Sequence, residues 1–227
     1  GIISFIFTII WVAGITNAVN LIDGLDGLAG GMSVIVLVVI GSIAIIERRS
    51  DLLSIAFILA FGTLGFLVYN AHPASIFMGD CGSLFLGFMI SAISLLGFKS
   101  STILTLALPI LLLMLPIIDT LSAILRRTLK GMKFMEADKS HIHHLLMRQF
   151  GHRNTVIIMC GLTALFGLSA FAYMINRNIG FLVMVIILLA VEIFIEKSAM
   201  ISEKFHPLIG LWHRIQRKSR KIFKKVG

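Results

Sequence analysis

Charge is what this sequence has least of. Only 14% of its 227 residues are Asp, Glu, Lys or Arg, while 58% are hydrophobic. A soluble domain averages about 25% charged and roughly 45–50% apolar residues, so this chain has too little polar surface to cover a water-soluble core. That excludes a soluble enzyme and a disordered chain. Cysteine is limited to Cys81 and Cys160, which excludes a disulfide scaffold. Their spacing matches no metal or redox motif, and both read as ordinary apolar residues. The chain opens inside an apolar stretch, without an initiator Met or a charged segment before it. That does not match a secretory signal peptide, and it gives the expectation that an N-terminal part is missing.

Long apolar runs take the place of charge. A membrane span needs about 20 predominantly apolar residues to cross a hydrocarbon layer of roughly 30 Å. Seven segments qualify, at about 1–18, 28–46, 52–69, 83–98, 101–121, 154–174 and 179–195. The stretches 28–46, 52–69, 83–98, 101–118 and 154–174 carry no charge. Buried helices of a soluble core would not supply so many in so short a chain. The expected fold class is all-α: a polytopic integral membrane protein with about seven transmembrane helices. Residues 1–203 are expected to form a transmembrane domain with cytoplasmic loops at 17–27, 70–82 and 122–153. Residues 204–227 are expected to form a basic cytoplasmic tail.

Seven spans put the two ends on opposite sides, and the 20 Lys and Arg then sort unevenly. Arg48, Arg49, Lys99 and Arg177 fall on one side and the other sixteen on the opposite side. The positive-inside rule makes the richer side cytoplasmic, with Gly227 inside and Gly1 outside. The net charge of +9 therefore needs no nucleic-acid partner. The tail from Arg214 to Lys225 is suited to anionic lipid head groups, and Trp212, Ile215, Ile222 and Phe223 suit an interfacial amphipathic helix.

The same topology gathers the acids. Asp23, Asp26, Asp80, Asp119 and Asp138 fall at the cytoplasmic boundary or in cytoplasmic loops, and only Asp51 is outside. Acids near lipid are costly and mark function by default. In the first cluster, Asn17, Asn20, Asp23 and Asp26 recur every three residues, which predicts one shared helical face. A helix cap would need only one of them. Gly24, Gly27, Gly30 and Gly31 would bend the helix and let backbone approach a ligand closely. The second cluster runs from Tyr69-Asn70 through His72-Pro73 to Phe77-Met78-Gly79-Asp80, where Asp80 either caps a helix or holds a cation. In the third, Asp119 either pairs with Arg126 and Arg127 or joins the site. The fourth is Asp138 with His141, His143 and His144 in a basic loop, which suits an anionic ligand better than zinc. Carboxylates select Mg²⁺, or Mn²⁺ in its place, and Mg²⁺ with basic groups is the usual means of binding pyrophosphate. A site at the lipid boundary implies one lipid substrate and one soluble one.

Three stretches carry a resemblance: Asn17–Gly31, Phe77-Met-Gly-Asp80-Cys-Gly-Ser83-Leu, and the loop from Arg126-Arg127 through Lys130-Gly131-Met132 to Asp138-Lys-Ser-His141-Ile-His143-His144-Leu. Over about residues 10–153 the chain resembles the polyprenyl-phosphate N-acetylhexosamine-1-phosphate transferases of glycosyltransferase family 4. These multi-pass enzymes of the plasma (inner) membrane use Mg²⁺ to join a sugar-1-phosphate from a UDP-sugar to a polyprenyl phosphate, releasing UMP. The His loop is similar to that of the undecaprenyl-phosphate branch that takes UDP-N-acetylglucosamine, the first membrane step of cell-envelope polysaccharide synthesis. The resemblance implies Asp80, with Asp23, as the metal site. It implies Asp23, Asp26, Asp80, His141, His143 and His144 as catalytic residues. Asn17, Asn20, Asn70, Asp119, Arg126 and Arg127 would contact substrate. A homodimer is a further expectation.

Two departures bear on this reading. The family's adjacent Asp pair has no counterpart here, nor do three or four upstream spans. The alternatives are therefore a phospho-N-acetylmuramoyl-pentapeptide transferase or an inactive fragment of such an enzyme. A transporter would place acids near mid-bilayer on both halves of a repeat. Glu192 alone fits that pattern, and no repeat is evident.

Overall fold

The computed structural model describes the backbone of residues 1–97 and 142–197, and side chains over 1–96 and 146–191. The described residues are helical, with no strand among them. They form α1 (Ile2–Leu21), α2 (Leu28–Ile46), α3 (Ser50–Asn70), α4 (Gly79–Gly97), α5 (Ile142–Phe150), α6 (His152–Ile175) and α7 (Arg177–Lys197). Five of these, α1 to α4 and α6, are long and apolar enough to cross a membrane, and α7 is a further apolar helix. In hydrocarbon only a helix satisfies its own backbone groups without water, which is why uncharged runs of this length fold this way. The chain is thus an all-α, polytopic membrane protein. The expected span at 101–121 lies outside the described residues.

The helix ends follow local chemistry. α1 stops before the Asp- and Gly-rich stretch 22–27, and α2 begins after Gly27, whose φ of 76° suits glycine. α3 ends at Asn70 because Ala71 turns extended two residues before Pro73. Asn176 separates α6 from α7, and its Oδ1 accepts the Asn178 and Ile179 amides at 3.0 and 3.2 Å. Several hydroxyls within the spans bond back to their own helix, as Thr63 does to the Leu59 carbonyl at 2.7 Å.

α2 is the buried centre of the described bundle and packs against α3, α4 and α6. Between helices in lipid, close packing replaces the hydrophobic effect as the driving force, and small residues permit it. A Cβ on Gly30 would lie 3.0 Å from the Leu67 side chain, and one on Gly31 would lie 3.0 Å from Cys160 Sγ. α1 lies along α4, where the backbone of Gly87 approaches Thr16 so closely that a Cβ would sit 2.7 Å from Thr16 Cα. Trp11 Nε1 ties the two helices again by donating to Ser94 Oγ at 3.1 Å. The far half of α1 presents Ile2, Ile3, Phe5 and Ile10 outward, as a lipid-facing surface would.

This arrangement brings loop 22–27, loop 71–78, the start of α4 and the start of α6 to one end of the bundle. The turn at Glu47–Arg49 lies at the other end.

Candidate active site at one end of the bundle

The acids of the first cluster do not share a helical face. α1 ends at Leu21, so Asn17 and Asn20 are helical while Asp23 and Asp26 lie in the following loop. The Gly24 and Gly27 interruptions outweigh the three-residue spacing, and the two aspartates turn to different partners.

Asp23 joins Asp80. The Gly79 amide donates to the half-buried Asp23 carboxyl. Burial pushes the Asp23 carboxyl up to about 6; the Gly79 bond opposes that rise, and the Asp80 charge adds to it. Asp80 stands in the first turn of α4. Asn20 Nδ2 donates to Asp80 Oδ1 at 3.1 Å and to Ser83 Oγ at 2.8 Å. Ser83 in turn donates to the Gly79 carbonyl at 2.9 Å. The end of α1 is thereby locked to the start of α4.

Asp26 joins two histidines. Its Oδ2 lies 2.9 Å from His72 Nδ1 and accepts the Ala74 amide at 3.2 Å. His152 Nε2 is 3.3 Å from the Asp26 carbonyl oxygen and 4.0 Å from Oδ2. The two imidazoles stack with centroids 4.2 Å apart. The hydrogen bond from His72, aided by the Ala74 amide, holds the Asp26 carboxyl below its ordinary range.

Asn70 is buried and joins the loops. Its Oδ1 accepts the Gly27 amide at 3.0 Å, and its Nδ2 donates to the Ile76 carbonyl at 2.9 Å. Both ends of the amide are committed to backbone, so Asn70 shapes the site as well as bordering it. Between the loops lies a cleft of about 210 Å³ whose walls include Asp23, Asp26, Asn70, Phe77, Met78 and Gly79. Small-molecule sites commonly measure about 300–1,000 Å³, so this space suits part of such a ligand rather than all of it.

Of the other expected site residues, Asn17 is exposed one turn before Asn20. His143 and His144 fall on α5, with side chains outside the described set. His141, Asp119, Arg126 and Arg127 lie outside the described residues, as do Asp138 and the basic tail. The sequence reading gave no role to His72, His152 or Ser83. Polar side chains beside Pro73 and Gly151 in so apolar a chain were the available signal.

Residues 1–98 match the model of glycosyl transferase family 4. This region of the chain belongs to that family. A Bacillus subtilis relative, described as a probable undecaprenyl-phosphate N-acetylglucosaminyl 1-phosphate transferase, is 42% identical over 223 residues. That alignment takes in 96% of this chain and 62% of the relative. A Mycolicibacterium smegmatis decaprenyl-phosphate N-acetylglucosaminephosphotransferase is 34% identical, over 69% of this chain and 44% of that protein. A Listeria welshimeri phospho-N-acetylmuramoyl-pentapeptide-transferase is 37% identical, over 69% of this chain and 48% of its own length. The chain thus spans less than two thirds of the length of these relatives.

Proposed function

We propose that this chain carries catalytic machinery for transferring N-acetylglucosamine-1-phosphate from UDP-N-acetylglucosamine to undecaprenyl phosphate, with release of UMP. The observation that carries this reading is the meeting of Asp23 and Asp80 beside the cleft at one bundle end, with Asn20 bonded to Asp80. The alignment along 96% of the chain with an N-acetylglucosaminyl 1-phosphate transferase supports that sugar over N-acetylmuramoyl-pentapeptide, whose listerial transferase aligns with 69%.

The donor set fits Mg²⁺. Asp23 and Asp80 offer hard carboxylate oxygens, and the repulsion that helps to raise Asp23 is what a bound cation would relieve. Bound there, Mg²⁺ would offset the negative charge of a pyrophosphate. Asn20 orients Asp80 through its side-chain amide. Phe77, 76% exposed at the cleft wall, offers a ring face for a planar uracil. The His-rich loop and Arg126 and Arg127 would meet the sugar and phosphates. A cytoplasmic site in the plasma membrane, the anionic-lipid role of the tail and a homodimer belong to the same proposal.

The test uses the purified protein in detergent with undecaprenyl phosphate, Mg²⁺ and radiolabelled UDP-N-acetylglucosamine, scored for lipid-extractable label. Label from this donor, lost in Asp80→Asn, is the expected result. Label only from UDP-N-acetylmuramoyl-pentapeptide would move the chain to the other branch. No label from either would overturn activity in this chain by itself.

A further inference from the structure

We propose that Asp26, His72 and His152 form a binding site for a zinc-class divalent ion, separate from the Asp23–Asp80 pair. The three residues come from loop 22–27, loop 71–78 and the first turn of α6, more than a hundred residues apart at the extremes. Each offers one donor atom, and these atoms all lie within 4.8 Å of one another. Two of the separations are known in detail: 2.9 Å from Asp26 Oδ2 to His72 Nδ1 and 4.0 Å to His152 Nε2. A tetrahedral ion with bonds of about 2.0–2.2 Å holds its ligands roughly 3.3–3.5 Å apart. The observed distances bracket that value, and an ion would need the stacked rings, 4.2 Å between centroids and 21° from parallel, to turn so that both nitrogens point at it. Both rings have room to do so, with side chains 47% and 20% exposed.

Donor chemistry selects the metal. Two imidazoles and one carboxylate suit zinc, nickel or copper, whereas Mg²⁺ prefers oxygen ligands. The same set with an open fourth position is that of catalytic zinc centres. The Ala74 amide, donating to Asp26 Oδ2, supplies the outer hydrogen bond that orients a ligating carboxylate. An ion here would pin both acid-bearing loops to α6. The inference does not depend on the transferase reading, since binding can be measured without turnover.

The experiment titrates the metal-stripped protein in detergent with Co²⁺, followed by its visible absorption, and with Zn²⁺ by calorimetry. Both titrations are run near neutral pH in excess Mg²⁺, which occupies the acidic pair. The expected result is saturable Co²⁺ binding that survives Mg²⁺ and is displaced by Zn²⁺. His72→Ala and His152→Ala should each weaken Zn²⁺ binding by about tenfold or more. His72→Cys should keep the site and add a thiolate-to-cobalt charge-transfer band that the unaltered protein, with its free Cys81 and Cys160, lacks and that His152→Ala abolishes. Failure of the unaltered protein to bind, full displacement by Mg²⁺, or unchanged affinity in both alanine variants would overturn the proposal. So would a Zn²⁺ signal lost in His143→Ala and kept in His72→Ala, which would assign the metal to the His-rich loop.

Discussion

Asn20 holds Asp80 by one side-chain amide proton and Ser83 by the same nitrogen, at 3.1 and 2.8 Å. The last turn of α1 thus sets the direction of a carboxylate sixty residues away. Asn20→Ala should release Asp80 without unfolding the bundle. Loss of such bonds costs about 1–2 kcal/mol at a partly exposed site. On the proposed reaction, the Mg²⁺ concentration for half-maximal turnover should rise by about tenfold, equivalent to roughly 1.4 kcal/mol. Turnover with an unchanged Mg²⁺ requirement would remove Asn20 from the positioning of Asp80.

Asn70→Ala should damage both loops together. It leaves the Gly27 amide and the Ile76 carbonyl without their partner. An orphaned buried group costs about 1–3 kcal/mol, so the thermal midpoint should fall by several degrees. Hydrogen exchange at the Gly27 amide gives the sharper reading. Protection that persists in the variant would show that another group holds that amide.

Gly87→Ala should separate α1 from α4. Its Cβ would meet Thr16 Cα at 2.7 Å and the Thr16 carbonyl oxygen at 3.0 Å, and backbone cannot step aside as a flexible side chain can. Overpacking of this kind costs about 1–3 kcal/mol. Gly62→Ala is the matched control, because nothing lies within 4 Å of its Cβ. Equal thermal midpoints for the two variants would sink the close-approach argument.

Asp23 and Asp26, both in loop 22–27, should give opposite pH dependences. The fold raises Asp23 from 3.8 to about 6. Its contribution to stability is therefore complete below about pH 4 and lost as pH rises through about 6. The fold lowers Asp26, so its contribution is present above 3.8 and lost as pH falls through the depressed value. Asp23→Asn should remove the first dependence and keep the second. Its advantage in thermal midpoint over the unaltered protein should grow between about pH 4 and pH 6 and persist above that range. A difference independent of pH would mean that the Asp23 charge is not the cause.

Much of the fold was legible because hydrocarbon leaves the chain few options. The uncharged run 28–46 coincides with α2 (Leu28–Ile46), bounded by Gly27 and by Glu47 with the arginines after it. The site was legible only in part. Asp23 and Asp80 stand out as acids at span ends, but a three-residue spacing reads as one helical face whether or not the helix continues. Gly24 and Gly27 end it, and no local pattern tells which way each aspartate then turns. The meeting of Asp26 with His72 and His152 is tertiary, set by how α3 and α6 stand against α2, and sequence spacing carries no trace of it. The roles expected of His141, Asp119, Arg126 and Arg127 lie outside the described residues.

The bond from the Gly27 amide to Asn70 has a mechanical consequence. The two loops are two edges of one jaw with a shared pivot, not independent fingers. A displacement of one loop is carried to the other through this bond, so Asp23 on the first and Phe77 on the second stay in register across the cleft. Whatever grips the aromatic edge also aims the acid.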